Sequence, residues 1–126
     1  SGNLKIGVEA PAIELTAAPP LLLSSHSDTY TIVNFWSAQD AASRLRNKKY
    51  ADMASLEGSK LRLITICVDE DSALAKELMM IDNCFPSQSL FSEQVEESTF
   101  ADYQTATGCR SFIIDPFGNL TSISPV

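Results

Sequence analysis

The residues with the most chemical reach in this chain are its thiols, Cys67, Cys84 and Cys109. A thiol can attack a disulfide or a peroxide once it ionises, and two thiols at close spacing can shuttle between dithiol and disulfide. The spacings here give no Cys-x-x-Cys, and three is an odd number, so at least one thiol is unpaired within the monomer. No Pro-x-x-x-Thr-x-x-Cys pattern of the usual peroxide-reducing kind is present. The single histidine, His26, stands in a polar stretch with no partner at ligand spacing and reads as a solvated loop residue. One histidine and three scattered cysteines do not make a metal site, and no motif asks for a cofactor. The basic run Arg44, Arg46, Lys48 and Lys49 reads as the solvent face of a helix.

The chain of 126 residues must position these groups with 44% hydrophobic and 20% charged residues and a mean hydropathy of +0.01. That profile suits one soluble domain over 1–126, with an irregular N-terminal segment over 1–28 and a core over 29–126. The net charge of −7 repels phosphate backbones and argues against a nucleic-acid partner. Apolar runs such as Leu21–Leu23 are too short to span a bilayer. Residue 1 is Ser, which predicts a processed product or a chain without its native beginning, with a signal peptide or lipid anchor as one thing removed. One domain of a larger secreted or anchored protein fits the same observation.

Tyr30–Trp36 is a β-branched and aromatic run of strand length. From Asp40 to about Leu56 helix formers run without Gly or Pro, and Gly58 supplies the stop. Leu61–Val68 is nearly continuous in apolar residues, as in strands covered on both faces. Asp71-Ser72 caps a helix predicted to place Leu74, Leu78 and Ile81 on one stripe, and Pro86 ends that region. A third helix is expected from about Ser92 to Gln104. Phe112–Asp115 is a strand, Pro116–Asn119 a tight turn, and Leu120–Ser124 an antiparallel edge strand. Parallel strands joined by a right-handed crossover, followed by a hairpin, make an α/β fold around a mixed sheet.

In order along the chain, Gly7–Leu15 resembles a Gly-x-x-Ala-Pro-x-hydrophobic-x-Leu lead-in, Val33–Trp36 a central strand, and Phe112–Asn119 a final strand and hairpin. Tyr103 stands six residues before the position of a family proline. Together these resemble the thioredoxin superfamily, in particular its extracytoplasmic TlpA-like thiol–disulfide oxidoreductase branch, related to the AhpC/TSA proteins and common in bacteria. The resemblance implies a thioredoxin-like fold, a role in redox homeostasis and a periplasmic or lipid-anchored location. The chain stops within a few residues of its last strand, so the fold is expected without a closing C-terminal helix. The sheet face so bared is either left to a partner or covered by Leu15–Leu23.

The resemblance also shows where the chain departs from the pattern. Asp40 stands at the place of the attacking cysteine and Ser43 at that of the resolving one. Neither can form a disulfide, so the expected reading is a degenerate redox motif that has lost dithiol exchange and keeps a binding or scaffolding role. Asp40 then serves as a helix N-cap, favoured by the dipole. Cys109 stands where the family has its cis-proline; a cis bond before a non-proline costs about 3–4 kcal/mol, so Gly108–Cys109 is predicted trans. A Cys109 close to the Asp40–Ser43 helix start is the candidate for single-thiol chemistry, the alternative function, against the plain reading of a small packed hydrophobe. In the family's sheet order the Val33 strand separates Cys67 from Cys109, beyond the reach of a disulfide. Trp36, Gly108, Cys109 and Arg110 are the expected surface for a protein or peptide ligand.

Overall fold

Why the central strand is buried follows from its composition: Tyr30–Trp36 has no charged residue, and all but its first position are buried. The computed structural model describes residues 4–24 and 27–124, which leaves the reading of His26 outside the described residues. Its elements are β1 (Tyr30–Trp36), α1 (Ala41–Glu57), β2 (Leu61–Cys67), α2 (Ala73–Ile81), β3 (Gln88–Phe91), α3 (Glu97–Asp102), β4 (Ser111–Ile114) and β5 (Leu120–Ile123), with 3₁₀ turns at Gly58–Lys60 and Ser92–Gln94. They form one mixed sheet in the order β3-β2-β1-β4-β5, flanked by helices. β1, β2 and β3 are parallel, while β4 runs antiparallel to β1 and β5 antiparallel to β4.

Alternation along the strands divides the core in two. Val33, Phe35, Ile64, Ile66, Phe112 and Ile114 point to one face, and Ile32, Trp36, Leu63 and Cys67 to the other. The first face carries an aromatic knot in which Phe35 meets Tyr103 at 5.1 Å between ring centroids and Tyr103 meets Phe112 at 4.8 Å. The irregular N-terminal segment closes this face: Ile13 is fully buried, Leu23 nearly so, and Leu15 and Leu21 pack against the cluster. Isolated bridges pin it at Glu9–Asn119, Ile13–Leu21 and Leu15–Val95, and the Tyr103 hydroxyl donates to the Pro11 carbonyl at 2.5 Å.

Under α1 one row across the sheet is polar. Asn34 of β1 pairs in register with Thr65 of β2 and Ser111 of β4. The Ser111 hydroxyl donates to Asn34 Oδ1 at 2.7 Å, and Asn34 Nδ2 donates to Asn47 Oδ1 of α1 at 2.5 Å. The buried stripe of α1 is accordingly Ser43, Asn47 and Ala51, spaced four apart. A polar contact of this kind admits one register, because sliding it would strand buried donors.

Three expectations need correction. The stripe on α2 is Ala75 and Met79, four residues apart, with Leu78 half-buried; Leu74 and Ile81 lie off that stripe and stay 44% and 67% exposed. The segment after Pro86 forms a strand, β3, that the residue pattern did not announce, since only Leu90 of Gln88–Phe91 is buried. The third helix is shorter than expected: Ser92–Gln94 turns as 3₁₀, and α3 spans six residues with Thr99 buried.

Two helices end in left-handed residues that are not glycine, Asn83 (φ 56°) and Gln104 (φ 55°). Each closes a Schellman motif: Asn83 and Cys84 donate to Met80 and Met79, and Gln104 and Thr105 donate to Ala101 and Phe100. Gln104→Gly removes the Cβ strain of that conformation and is expected to raise stability by roughly 0.5–1 kcal/mol, read as a higher urea midpoint with an unchanged m-value. Gly118 (φ 92°) holds the β4–β5 turn, where an added Cβ would meet Ser24 at 3.5 Å.

Candidate active site

At the end of β1 the chain must leave the sheet and start α1. Ser37 does most of this: its carbonyl accepts from Asp40 N at 3.1 Å, and its N–H donates to Ser43 Oγ at 3.0 Å. Asp40 is the N-cap, with Oδ1 accepting from Ser43 N at 3.2 Å, and the helix begins at Ala41. The Ser43 hydroxyl, fully buried, donates to the carbonyls of Asp40 at 2.8 Å and Ser37 at 3.2 Å. Asp69, just beyond β2, clamps the same loop from outside by accepting from Ser37 Oγ at 2.5 Å and Ala38 N at 2.9 Å. Residue types alone did not single out Asp69; its only signal was an acid immediately after a buried strand.

Cys109 completes the cluster. The chain reaches it through Gly108, whose φ of 153° lies where glycine is favoured, and the Gly108–Cys109 bond is trans as predicted. Its sulfur lies beside the Ser43 hydroxyl and the Asp40 carboxylate. The proximity expected of Cys109 and the helix start is therefore present. Its activation is not: burial first, then the Asp40 carboxylate, push the thiol pKa up, and the Ser43 hydroxyl and the Arg46 charge only partly oppose them. A helix N-terminus does not lower a thiol pKa when a carboxylate already occupies that end.

The remaining thiols are further from reactivity. Cys67 sits fully buried at the end of β2, its pKa pushed up to about 12 mainly by burial. Cys84 follows α2, directs its thiol at the Asn47 carbonyl at 3.6 Å and is raised to about 11, again mainly by burial. All three cysteines are free, and β1 lies between the strands that end at Cys67 and start after Cys109. Among the described residues no group of His, Cys, Asp and Glu could hold a metal ion.

Of the four residues expected to offer a peptide surface, two are buried. Trp36 is 1% exposed, because alternation along β1 turns its ring into the core beneath α1 and α2. Cys109 is 7% exposed. Gly108 and Arg110 are half-buried; the Arg110 guanidinium lies 5.6 Å from the Phe112 ring centroid and reaches the Ser124 carbonyl. The basic run on α1 is likewise engaged: Arg44 makes a two-pronged ion pair with Asp82 at 2.7 Å, which ties α1 to the end of α2, and Lys48 pairs with Asp52 at 2.9 Å.

No protein-family model matches the sequence, and neither does any curated protein. Solved structures do. A thioredoxin-like protein from Parabacteroides distasonis is 27% identical with a TM-score of 0.81, over 97% of this chain and 88% of that one. This chain is thioredoxin-like. The thioredoxin domain of a thiol-disulfide oxidoreductase from Bacteroides vulgatus has a TM-score of 0.73 at 16% identity, over 98% and 90% of the two chains. A thiol:disulfide interchange protein from a Bacteroides species has a TM-score of 0.67 at 18% identity, over 96% and 82%. Thioredoxin-like architecture therefore holds from the N-terminal lead-in to the final hairpin. Among the described residues no helix is long and apolar enough to cross a membrane.

Proposed function

We propose that this thioredoxin-like domain has lost dithiol–disulfide exchange and acts as a binding module. The observation that carries the reading is the start of α1, where an N-capping carboxylate and a buried hydroxyl stand on one turn with a single, protonated thiol beside them. Exchange needs a thiolate to attack and a second thiol to release the mixed disulfide, and this turn offers neither. An extracytoplasmic setting is proposed with it, on the likeness of the Gly7–Leu15 lead-in to the TlpA-like branch. Turbidity of insulin in dithiothreitol tests the reading: the protein is expected to add nothing to the rate with dithiothreitol alone. Acceleration comparable to an intact thioredoxin sinks it.

A reaction through the lone Cys109 is the weaker reading. The neighbouring Ser43 hydroxyl favours a thiolate, but burial and Asp40 outweigh it.

A further inference from the structure

The polar row beneath α1 crosses four strands. Ser111 of β4, Asn34 of β1, Thr65 of β2 and Ser89 of β3 stand in register on neighbouring strands. Alternation places the row on the face of Ile32 and Leu63, which α1 covers with Ser43, Asn47 and Ala51. Half of the row is satisfied, since Ser111 bonds Asn34 and Asn34 bonds Asn47. The other half is not. Asn47 Nδ2 and Thr65 Oγ1 are buried polar atoms without a hydrogen-bond partner, on residues only 2% and 0% exposed. A buried donor or hydroxyl in that condition costs stability, and native cores rarely keep one.

Asn34 links the two orphaned atoms: its amide holds Asn47, and its register partner on β2 is Thr65. Turning the Asn47 amide over does not cure the fault. Turned alone, it sets two amide donors face to face; turned together with Asn34, it leaves Oδ1 unpartnered in place of Nδ2. Ser89, half-buried at the next register position, offers a third hydroxyl. The row carries no charge, so a bound cation or anion would have no counter-charge there. A ligand for this place is small, neutral and able both to donate and to accept.

We propose that one water molecule is bound between α1 and the sheet, accepting from Asn47 Nδ2 and the Thr65 hydroxyl and donating to Ser89 Oγ. Buried water makes about three hydrogen bonds, to protein groups that otherwise lack a partner. Through it Asn47 ties α1 to β2 and β3, as it is tied to β1 directly and to β4 through Asn34. The site is independent of the binding role proposed above. A crystal structure of the whole chain and two variants test it. Ordered density is expected within about 3.2 Å of both Asn47 Nδ2 and Thr65 Oγ1. Thr65→Val keeps the shape of the side chain and removes its hydroxyl. It is expected to expel the water and lower the urea midpoint at an unchanged m-value, because Asn47 Nδ2 then loses its partner. Thr65→Ser keeps the hydroxyl and is expected to keep the density. Were the Thr65 hydroxyl simply orphaned, Thr65→Val would raise the midpoint, since an unpaired buried polar group would be gone. A midpoint that rises or stays in Thr65→Val, or a wild-type core without density between the two atoms, overturns the proposal. Should Thr65→Val fail to fold, the wild-type density decides.

Discussion

Replacing Asp40 and Ser43 together with cysteine (D40C/S43C) is expected to create a closed disulfide and raise insulin reduction above that of the wild type. The geometry is already in place. Positions 40 and 43 share the first turn of α1, tied by the bond from Ser43 N to Asp40 Oδ1 and by the Ser43 hydroxyl on the Asp40 carbonyl. Residues three apart on one turn fall within the Cα separation a disulfide accepts. Substitution also removes the carboxylate that now occupies the helix end, so the dipole and free N–H groups act on the first new thiol and lower its pKa. Incubation with oxidised glutathione should consume the two added thiols while the three native ones stay free. The insulin rate should rise at least about tenfold above dithiothreitol alone, about 1.4 kcal/mol in barrier. A variant that folds yet keeps both added thiols reduced would show that the first turn is not built for exchange.

The native thiols, by contrast, are expected to be almost inert in the folded chain at pH 8. With pKa values near 12 for Cys67 and 11 for Cys84 against an ordinary 9.0, their thiolate fractions fall by about a thousandfold and a hundredfold. Iodoacetamide labelling followed by mass spectrometry should slow by at least these factors relative to the chain in guanidinium, and Cys109 should also lag its denatured rate. The same shifts fix a pH dependence. The folded state holds these protons more tightly than the unfolded state does, so their contribution to stability is complete below about pH 9. It drains away as pH climbs from about 9 through 11 and 12. Urea midpoints should therefore fall steadily above pH 9. A thiol that alkylates at pH 7 faster in the folded chain than in guanidinium would mark a depressed pKa, and at Cys109 it would revive the single-thiol reaction.

How legible these features were depends on whether residue types or distant neighbours set them. β1 was legible to its last residue because seven uncharged, strand-favouring positions leave no alternative, and α1 because Asp40 opens and Gly58 closes an uninterrupted helical run. α2 was placed well but its buried side was misjudged. Hydrophobic spacing favoured Leu74 and Ile81, whereas the buried stripe is Ala75 and Met79, four residues apart. β3 escaped because an edge strand with one buried side chain has almost no pattern to read. The inward stripe of α1 escaped for a sharper reason: Ser43, Asn47 and Ala51 face a polar row on the sheet, and polarity seen along the chain reads as solvent.

Residue order by itself determined the α/β alternation, the strand-to-helix turn at Asp40 and the lack of sulfur at both positions of that turn, since these depend on side-chain type and on neighbours a few residues away. Only the tertiary structure decided that Cys109 lies against Asp40 and Ser43 and is held protonated there, and that Asp69 braces the loop. It also decided that Trp36 faces inward and that the N-terminal segment covers its own sheet face. Each of these rests on contacts between groups far apart in the chain, where burial and the sign of the nearest charge set the chemistry of a side chain.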